Sequence, residues 1–388
     1  MFNNSKNKIL VLSACCIGAM SYSEKDAFAA PAITGVSGTI KGGESVTISG
    51  SGFGTKATAA PKKFDTFDNG VNGTPLNARD GSWRIYECAN GGNPNPNCDG
   101  QGALYSNAAA HSGSLSVGRR IVNFENFNTN YYTYPQPSTE MFISYWWRTS
   151  NADSSDKTII KMSRINSSTA AGGGGVYNGA GGTTLGGTFD LMSGSGPYCA
   201  FNNGTAMQEL FFSTTDGSVA RLGTPPKNTW IRVDMYKKLS SPGVSNGAVS
   251  INMLGVDAAS NMAAMTRAAG KSFLLDTVLL GLEDGAAANH SYEMYIDDMY
   301  IDTTPARIEI CNSPTWDART SCEIQPATSW SASSVTFTGN QGSIPASSSH
   351  YLYVVDSTGA ANSNGYPITF GATTNTLAPP TGLKVISK

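Results

Sequence analysis

The sequence predicts an all-β protein, and two observations carry that expectation. Charged residues are 14% and hydrophobic ones 40% of the 388, with 43 Gly and abundant Ser, Thr and Asn. In β-rich extracellular proteins turns take Gly and Asn, while solvent-facing strand positions take Thr and Ser. The second observation is periodicity. Almost every patterned segment alternates apolar and polar with period two, and polar turns separate these runs, as in a sandwich. One stretch departs from this: "NMAAMTRAAGK" (261–271) is Ala-rich and reads as a short surface helix.

Taken in chain order, residues 1–29 read as processing information. Lys6 and Lys8 precede an apolar run, Ile9 to Met20, too short to span a bilayer. "AFA" (Ala27–Ala29) offers a signal-peptidase site. "LSAC" (Leu12–Cys15) offers a second exit, lipidation at Cys15, although the apolar run before it is short. Both exits imply export, to the extracellular space or cell surface, with a periplasmic or outer-membrane lipoprotein as the alternative; a membrane is a partner only if Cys15 is lipidated.

Export makes disulfides plausible. Cys88 and Cys98 flank "ANGGNPNPN", and Cys311 and Cys322 flank "NSPTWDARTS". Each pair reads as a local staple of a polar loop with little core to order it. Cys199 is left over, either a buried thiol or an intermolecular link. His111, His290 and His350 are far apart in sequence, and the Cys spacings match no zinc site. The formal net charge of −2 and the lack of a basic run argue against nucleic acid as a partner.

The strand-like runs are "SVTISG", "MFISYWWRT", "TIIKMSRI", "ELFFSTT", "TWIRVDMYKK", "AVSINMLGV", "SFLLDTVLLGL", "YEMYIDDMYID", "SVTFTG" and "YLYVVD". "TAAGGGGVYNGAGGTTLGG" (169–187) is too Gly-rich for a core and reads as a loop at the rim of a binding face. In "MFISYWWRT", alternation places Met141, Ile143, Tyr145 and Trp147 on an apolar face. Phe142, Ser144, Trp146 and Arg148 share the other. "TWIRVDMYKK" repeats the pattern: Ile231, Val233 and Met235 face inward, while Trp230, Arg232, Asp234 and Tyr236 face the other way.

Two resemblances refine the organisation. From Pro31, "PAITGVSGTIKGGESVTISGSGFG" looks like the opening of an IPT/TIG immunoglobulin-like domain, but only about two strands of it precede "KKFDTFDNG". The segment "SWSASSVTFTGNQGSIPASSSHYLYVVDSTGAANSNGYPITF" resembles the later part of the same domain type. Two strands cannot form a stable sandwich alone. The resemblance therefore implies one split TIG-like domain, residues 31–60 with 305–372, hosting an insert; two separate small modules are the competing reading. The insert, 62–304, resembles concanavalin A-like or laminin-G-like jelly rolls in "FISYWWRTSN…DKTIIKMSR", "NTWIRVDMYKKLSS…NGAVSINMLG" and "YEMYIDDMYID". Residues 373–388 read as a linker or tail.

That jelly-roll fold hosts lectins, glycosidases and polysaccharide lyases, so the fold does not decide function. Trp146, Arg148, Lys161, Trp230, Arg232, Asp234 and Tyr236 form the candidate glycan-binding face. Aromatic rings can cover the C–H face of a sugar, and charged groups can bind its hydroxyls. The bland alternative is that loops or neighbouring strands cover this face, with Trp and Arg simply packed together. Thr158 and Arg164 lie near Lys161 in sequence; a solvated strand face accounts for all three equally well.

For metal, the resemblance implies a structural Ca²⁺ held by Asp65, Asp68, Asp297 and Asp298, against ordinary turn-capping by Asp; no cofactor is otherwise required. For catalysis, Glu293, Tyr295 and Asp297 share a face with Met299 and Ile301, which reads as core. No closely spaced carboxylate ladder, Gly-x-Ser-x-Gly elbow or His-Glu-x-x-His is present. A lyase would use Tyr236 as acid and base, with Arg148 or Arg232 neutralising a uronate. Three readings stand: a glycan-binding adhesin or module, a polysaccharide lyase or glycosidase, and a structural surface protein contacting other surface proteins.

Overall fold

The computed structural model describes residues 29–79, 81–85, 89–90, 93–94, 103–122, 130–150, 159–166, 199–205, 207–213, 219–222, 226–267, 270, 272–284, 291–371 and 373–374. The all-β class holds: among the described residues there are strands and two short 3-10 turns, but no α-helix. Residues 1–28, which include Cys15, the Gly-rich tract 169–187, and Cys88 and Cys98 fall outside the described residues.

Strands are numbered in chain order. The first large sheet runs β17 (Asp257–Ala264), β16 (Gly247–Met253), β15 (Ile231–Lys238), β10 (Glu140–Thr149), β19 (Ser291–Asp302), β8 (Ser116–Val122) and β7 (Leu104–Ser106), with β3 (Lys63–Asp65) also pairing β19. The second runs β14 (Val219–Leu222), β13 (Met207–Ser213), β12 (Cys199–Thr205), β11 (Ile159–Asn166), β18 (Leu275–Asp284), β9 (Asn130–Ser138) and β4 (Arg84–Ile85). A small ribbon pairs β5 (Ala89–Asn90) with β6 (Asn93–Pro94). The two large sheets enclose a core that includes Met141, Ile143, Tyr145, Trp147, Val233, Met235, Ile251, Val278, Leu280, Ile296 and Ile301.

A smaller sandwich is built from both ends of the chain. One of its sheets runs β22 (Ala327–Trp330), β23 (Ser334–Thr338), β2 (Ser45–Ser51), β1 (Ala32–Thr39) and β26 (Thr373–Thr374). The other runs β21 (Cys322–Gln325), β20 (Arg307–Cys311), β24 (Ser349–Val355) and β25 (Tyr366–Thr369). Val46 and Ile48 of β2 stand opposite Phe337 and Val335 of β23, and all four join one apolar cluster with Ile308, Ile310, Leu352 and Val354. Residues almost three hundred positions apart in sequence thus share a core, because alternation makes each short strand apolar on one side only. A Cys311–Cys322 disulfide links β20 to β21.

The first part of the stretch expected to be a helix, 261–264, belongs to a strand, β17; residues 268, 269 and 271 of it lie outside the described residues. β17 pairs β16 from Asp257 opposite Met253 to Ala264 opposite Gly247. The edge position of β17 decides this: the backbone of β16 needs a partner, and Ala264 fills a buried core position.

A bulge corrects the reading of β19. Ser144 and Trp146 of β10 stand opposite Tyr300 and Asp297, so Tyr145 alone opposes two residues, Asp298 and Met299, on β19. Asp298 sits there with φ +48, in the left-handed region that Asp tolerates better than most residues. The extra residue reverses the alternation. Met294 and Ile296 before it, and Met299 and Ile301 after it, all reach the core. Tyr295 and Asp297 are therefore not on the core face with Met299 and Ile301.

Candidate functional site

Alternation assigned the two tryptophans of β10 to opposite sides, and the structure does so: Trp147 belongs to the core of the large sandwich and Trp146 does not. The expected open platform is nevertheless absent. Trp146 is 6% exposed against 1% for Trp147. The smaller sandwich lies on this face, and its strands β20 and β21 meet the outward residues of β10, β15 and β19.

The centre of that junction is ionic. Arg232 donates from Nε to Asp234 Oδ1 and from Nη2 to Asp234 Oδ2, both at 2.9 Å. Its Nη1 donates to the carbonyl of Cys322 at 3.1 Å, and Nη2 also reaches Glu309 Oε1. Arg307 Nε donates to the same Glu309 oxygen, and Arg319 Nε lies 3.8 Å from Glu309 Oε2. Burial alone would push the Glu309 carboxyl up, but Arg232, Arg307 and Arg319 hold it well below the usual range. The same anions raise Arg232 despite its burial. Arg232, 1% exposed, and Asp234, 6% exposed, are thus structural glue between the sandwiches and not free to meet a sugar. Two apolar patches flank the network: Phe142, Tyr300 and Ile324 on one side, and Leu254, Tyr353 and the disulfide on the other. Arg307 lies over the Phe142 ring at 4.6 Å. Further out, Lys56 pairs with Asp302 at 2.6 Å.

Tyr236 is half-buried, and its hydroxyl donates to Glu140 Oε2 at 2.8 Å. Burial and the Glu140 charge push this phenol well above its ordinary value, the wrong direction for a base. Arg232 is buried as well, whereas Arg148, the other arginine expected to neutralise a uronate, is half-buried. Lys161 and Arg164 lie on β11, where Lys161 stands opposite Ala200 and Glu283; their side chains, like that of Cys199, and Thr158 are outside the described residues.

The four aspartates expected to share Ca²⁺ each accept hydrogen bonds from neighbouring residues. Asp65 accepts from Arg79 Nη1 and Nη2, Trp83 Nε1 and the Phe67 amide. Burial opposes ionisation there, yet those hydrogen bonds and the nearby Lys63 hold its pKa down. Asp68 accepts from the Ser114 and Leu115 amides. Both act as ordinary capping and pairing acids. Asp297 and Asp298 instead converge on His111, which the sequence offered no reason to single out. Asp297 Oδ2 accepts the His111 amide at 2.8 Å, and Asp298 Oδ2 lies 2.9 Å from His111 Nδ1. Burial and the adjacent Asp298 charge push the Asp297 carboxyl up to about 9. The His111 ring stacks on Trp146, with centroids 3.8 Å apart at 16°, and its Nε2 lies 3.5 Å from Glu323 Oε1. Glu323 comes from β21, so nothing local in the sequence could have predicted its approach.

At the Arg148 end of the face the cover stops. Arg148 and Trp230 remain half-buried, next to an exposed loop that carries Lys227. Arg148 Nε donates to the carbonyl of Asn228 at 3.2 Å, and the Asn228 amide donates back to Thr149 at 2.8 Å. These bonds hold the guanidinium 5.9 Å above the ring of Tyr295. Trp230 meets His111 edge-on at 5.9 Å. A fixed guanidinium, a second cation and a tryptophan therefore share one accessible rim, a set able to hold an anionic, partly apolar chain.

No family model and no curated protein matches the chain. Among solved structures it is similar to an alginate lyase from Aplysia kurodai, at 13% identity and a TM-score of 0.37, covering 53% of this chain and 88% of that one. The alginate lyase Aly36B, solved as a mutant with an alginate trisaccharide, is similar at 12% identity and a TM-score of 0.43, covering 63% and 99%. An endo-β-1,4-glucuronan lyase from Trichoderma reesei is similar at 10% identity and a TM-score of 0.39, covering 63% and 96%. The two large antiparallel sheets themselves show that the chain contains a β-sandwich.

Proposed function

We propose that the chain is an exported polysaccharide-binding protein that holds an acidic polysaccharide along the rim formed by Arg148, Lys227 and Trp230. The observation that supports this most is the fixed guanidinium of Arg148 beside half-buried Trp230, at an end of the outward face that the smaller sandwich leaves accessible. Arg can bind a carboxylate through two parallel hydrogen bonds, and an indole offers its face to the sugar ring. The smaller sandwich, read as TIG-like, acts as a rigid cover that confines the ligand to this rim. The reading is binding and not cleavage because Tyr236, the acid and base expected for elimination, is held by Glu140, and Arg232 by the Asp234–Glu309 network.

The test offers the purified, processed protein alginate, polyglucuronate and a neutral glucan. Binding is followed by calorimetry, and elimination by absorbance of the new double bond. The expected result is salt-sensitive binding of the acidic polymers. Arg148→Ala or Trp230→Ala should weaken it by about tenfold, the loss of ~1.4 kcal/mol, with little change in melting temperature. New ultraviolet absorbance would move the reading to a lyase with catalytic groups other than Tyr236 and Arg232. No binding across the panel would end it.

A further inference from the structure

Every other buried acid at the junction of the two sandwiches has a Lys or Arg beside it: Asp302 has Lys56, while Asp234 and Glu309 have arginines. The cluster around His111 is the exception. Asp297, Asp298 and Glu323 are all buried, and among the described residues none of them pairs with Lys or Arg; His111 is the basic group they share. Asp298 and Glu323 face a single imidazole in a place where burial makes charge costly. Donor atoms of His111, Asp298 and Glu323 all lie within 4.8 Å of one another. For one ion to be shared, the Asp298 carboxylate beside Nδ1 and the Glu323 carboxylate beside Nε2 close on the same ring nitrogen.

We propose that His111, Asp298 and Glu323 bind a divalent cation of the zinc class, which clips the two sandwiches together. The donor set selects the metal. One imidazole nitrogen with two carboxylate oxygens suits Zn²⁺ or a neighbouring transition ion, whereas Ca²⁺ takes oxygen donors throughout. The supports around the ligands fit the same role. Ser112 Oγ donates to Asp298 Oδ1 at 2.8 Å, and Ser343 donates to Glu323 Oε1 from its amide at 3.0 Å and its hydroxyl at 2.8 Å. Trp146 fixes the plane of the His111 ring. Hydrogen bonds of this kind orient metal-ligating side chains. The three ligands come from the loop before β8, the bulge of β19 and strand β21, so an ion there crosses from one sandwich to the other.

The test uses tag-free, processed protein stripped with EDTA and titrated with Zn²⁺, with Co²⁺ as a spectroscopic stand-in. One ion per chain is expected, together with a rise of roughly 5 °C in melting temperature at a hundredfold excess over Kd. Glu323→Gln and His111→Gln should each weaken binding at least tenfold and abolish the rise. Should a variant fail to fold, X-ray absorption of the wild-type Zn²⁺ complex reads the donors directly: a single imidazole with oxygens supports the site, and sulfur or several imidazoles overturn it. No stoichiometric binding overturns it too. So would variants that lose the same stability in EDTA as in Zn²⁺, which would make His111 a protonated bridge between Asp298 and Glu323 and nothing more. Polysaccharide binding at the Arg148 rim is read separately, so neither result decides the other.

Discussion

Glu309→Gln removes one charge from the centre of the junction and leaves the shape of the side chain. In the native protein Glu309 faces Arg232, Arg307 and Arg319, and Asp234 is the other anion of the network. After the change three guanidinium groups would share one carboxylate in a buried site. Unit charges ~4 Å apart interact by about 4 kcal/mol at an effective dielectric of 20, and part of this is offset because Arg232 keeps its two bonds to Asp234. Breaking a buried pair from one side costs about 3–5 kcal/mol, and that is the destabilisation expected here. Urea unfolding followed by tryptophan fluorescence measures it, since Trp146 and Trp316 lie near this junction. Arg232→Met on its own should also destabilise, yet combined with Glu309→Leu it should recover much of the loss, because the charges then leave together. A loss below about 1 kcal/mol for Glu309→Gln, or strictly additive double variants, would refute the view that this network holds the sandwiches together.

Two further outcomes follow from burial. Trp146→Ala should lower stability by about 3–5 kcal/mol by deleting the ring on which His111 stacks, while affinity at the Arg148 rim stays within about twofold; lost affinity at unchanged melting temperature would contradict the covered face. Lys237 is buried, and burial pushes its ammonium down from 10.5 to about 7. The unfolded chain holds that proton more tightly, so this residue makes the protein gain stability as pH rises from about 7 towards 10.5. The difference between wild type and Lys237→Met, measured by denaturation at several pH values, should shift by up to about 5 kcal/mol across that window. A pH-independent difference would count against the depressed ammonium.

Much of the fold was legible in the chain because side-chain period is a local property. "MFISYWWRT" and "TWIRVDMYKK" alternate cleanly, and each strand presents the expected residues to the core. The pair Cys311 and Cys322 was legible for a local reason too: ten residues of polar loop join two strands that lie side by side. Local pattern failed at β17, where Ala content suggested a helix and an unpaired neighbour imposed a strand. It failed again at Asp298, where one inserted residue in β19 reversed the inward and outward sides without any mark in the composition.

By itself the sequence determined that Trp146 and Trp147 point in opposite directions, that Arg232 and Asp234 share the side of Trp146, and that the chain is built of strands. Only the tertiary structure decided what meets that side. Glu309, Glu323 and Arg307 arrive there from segments far along the chain, and they turn an expected sugar surface into a buried seam. The physical reason is that alternation specifies a direction for each side chain, whereas exposure depends on what else packs against the sheet, which no single strand encodes.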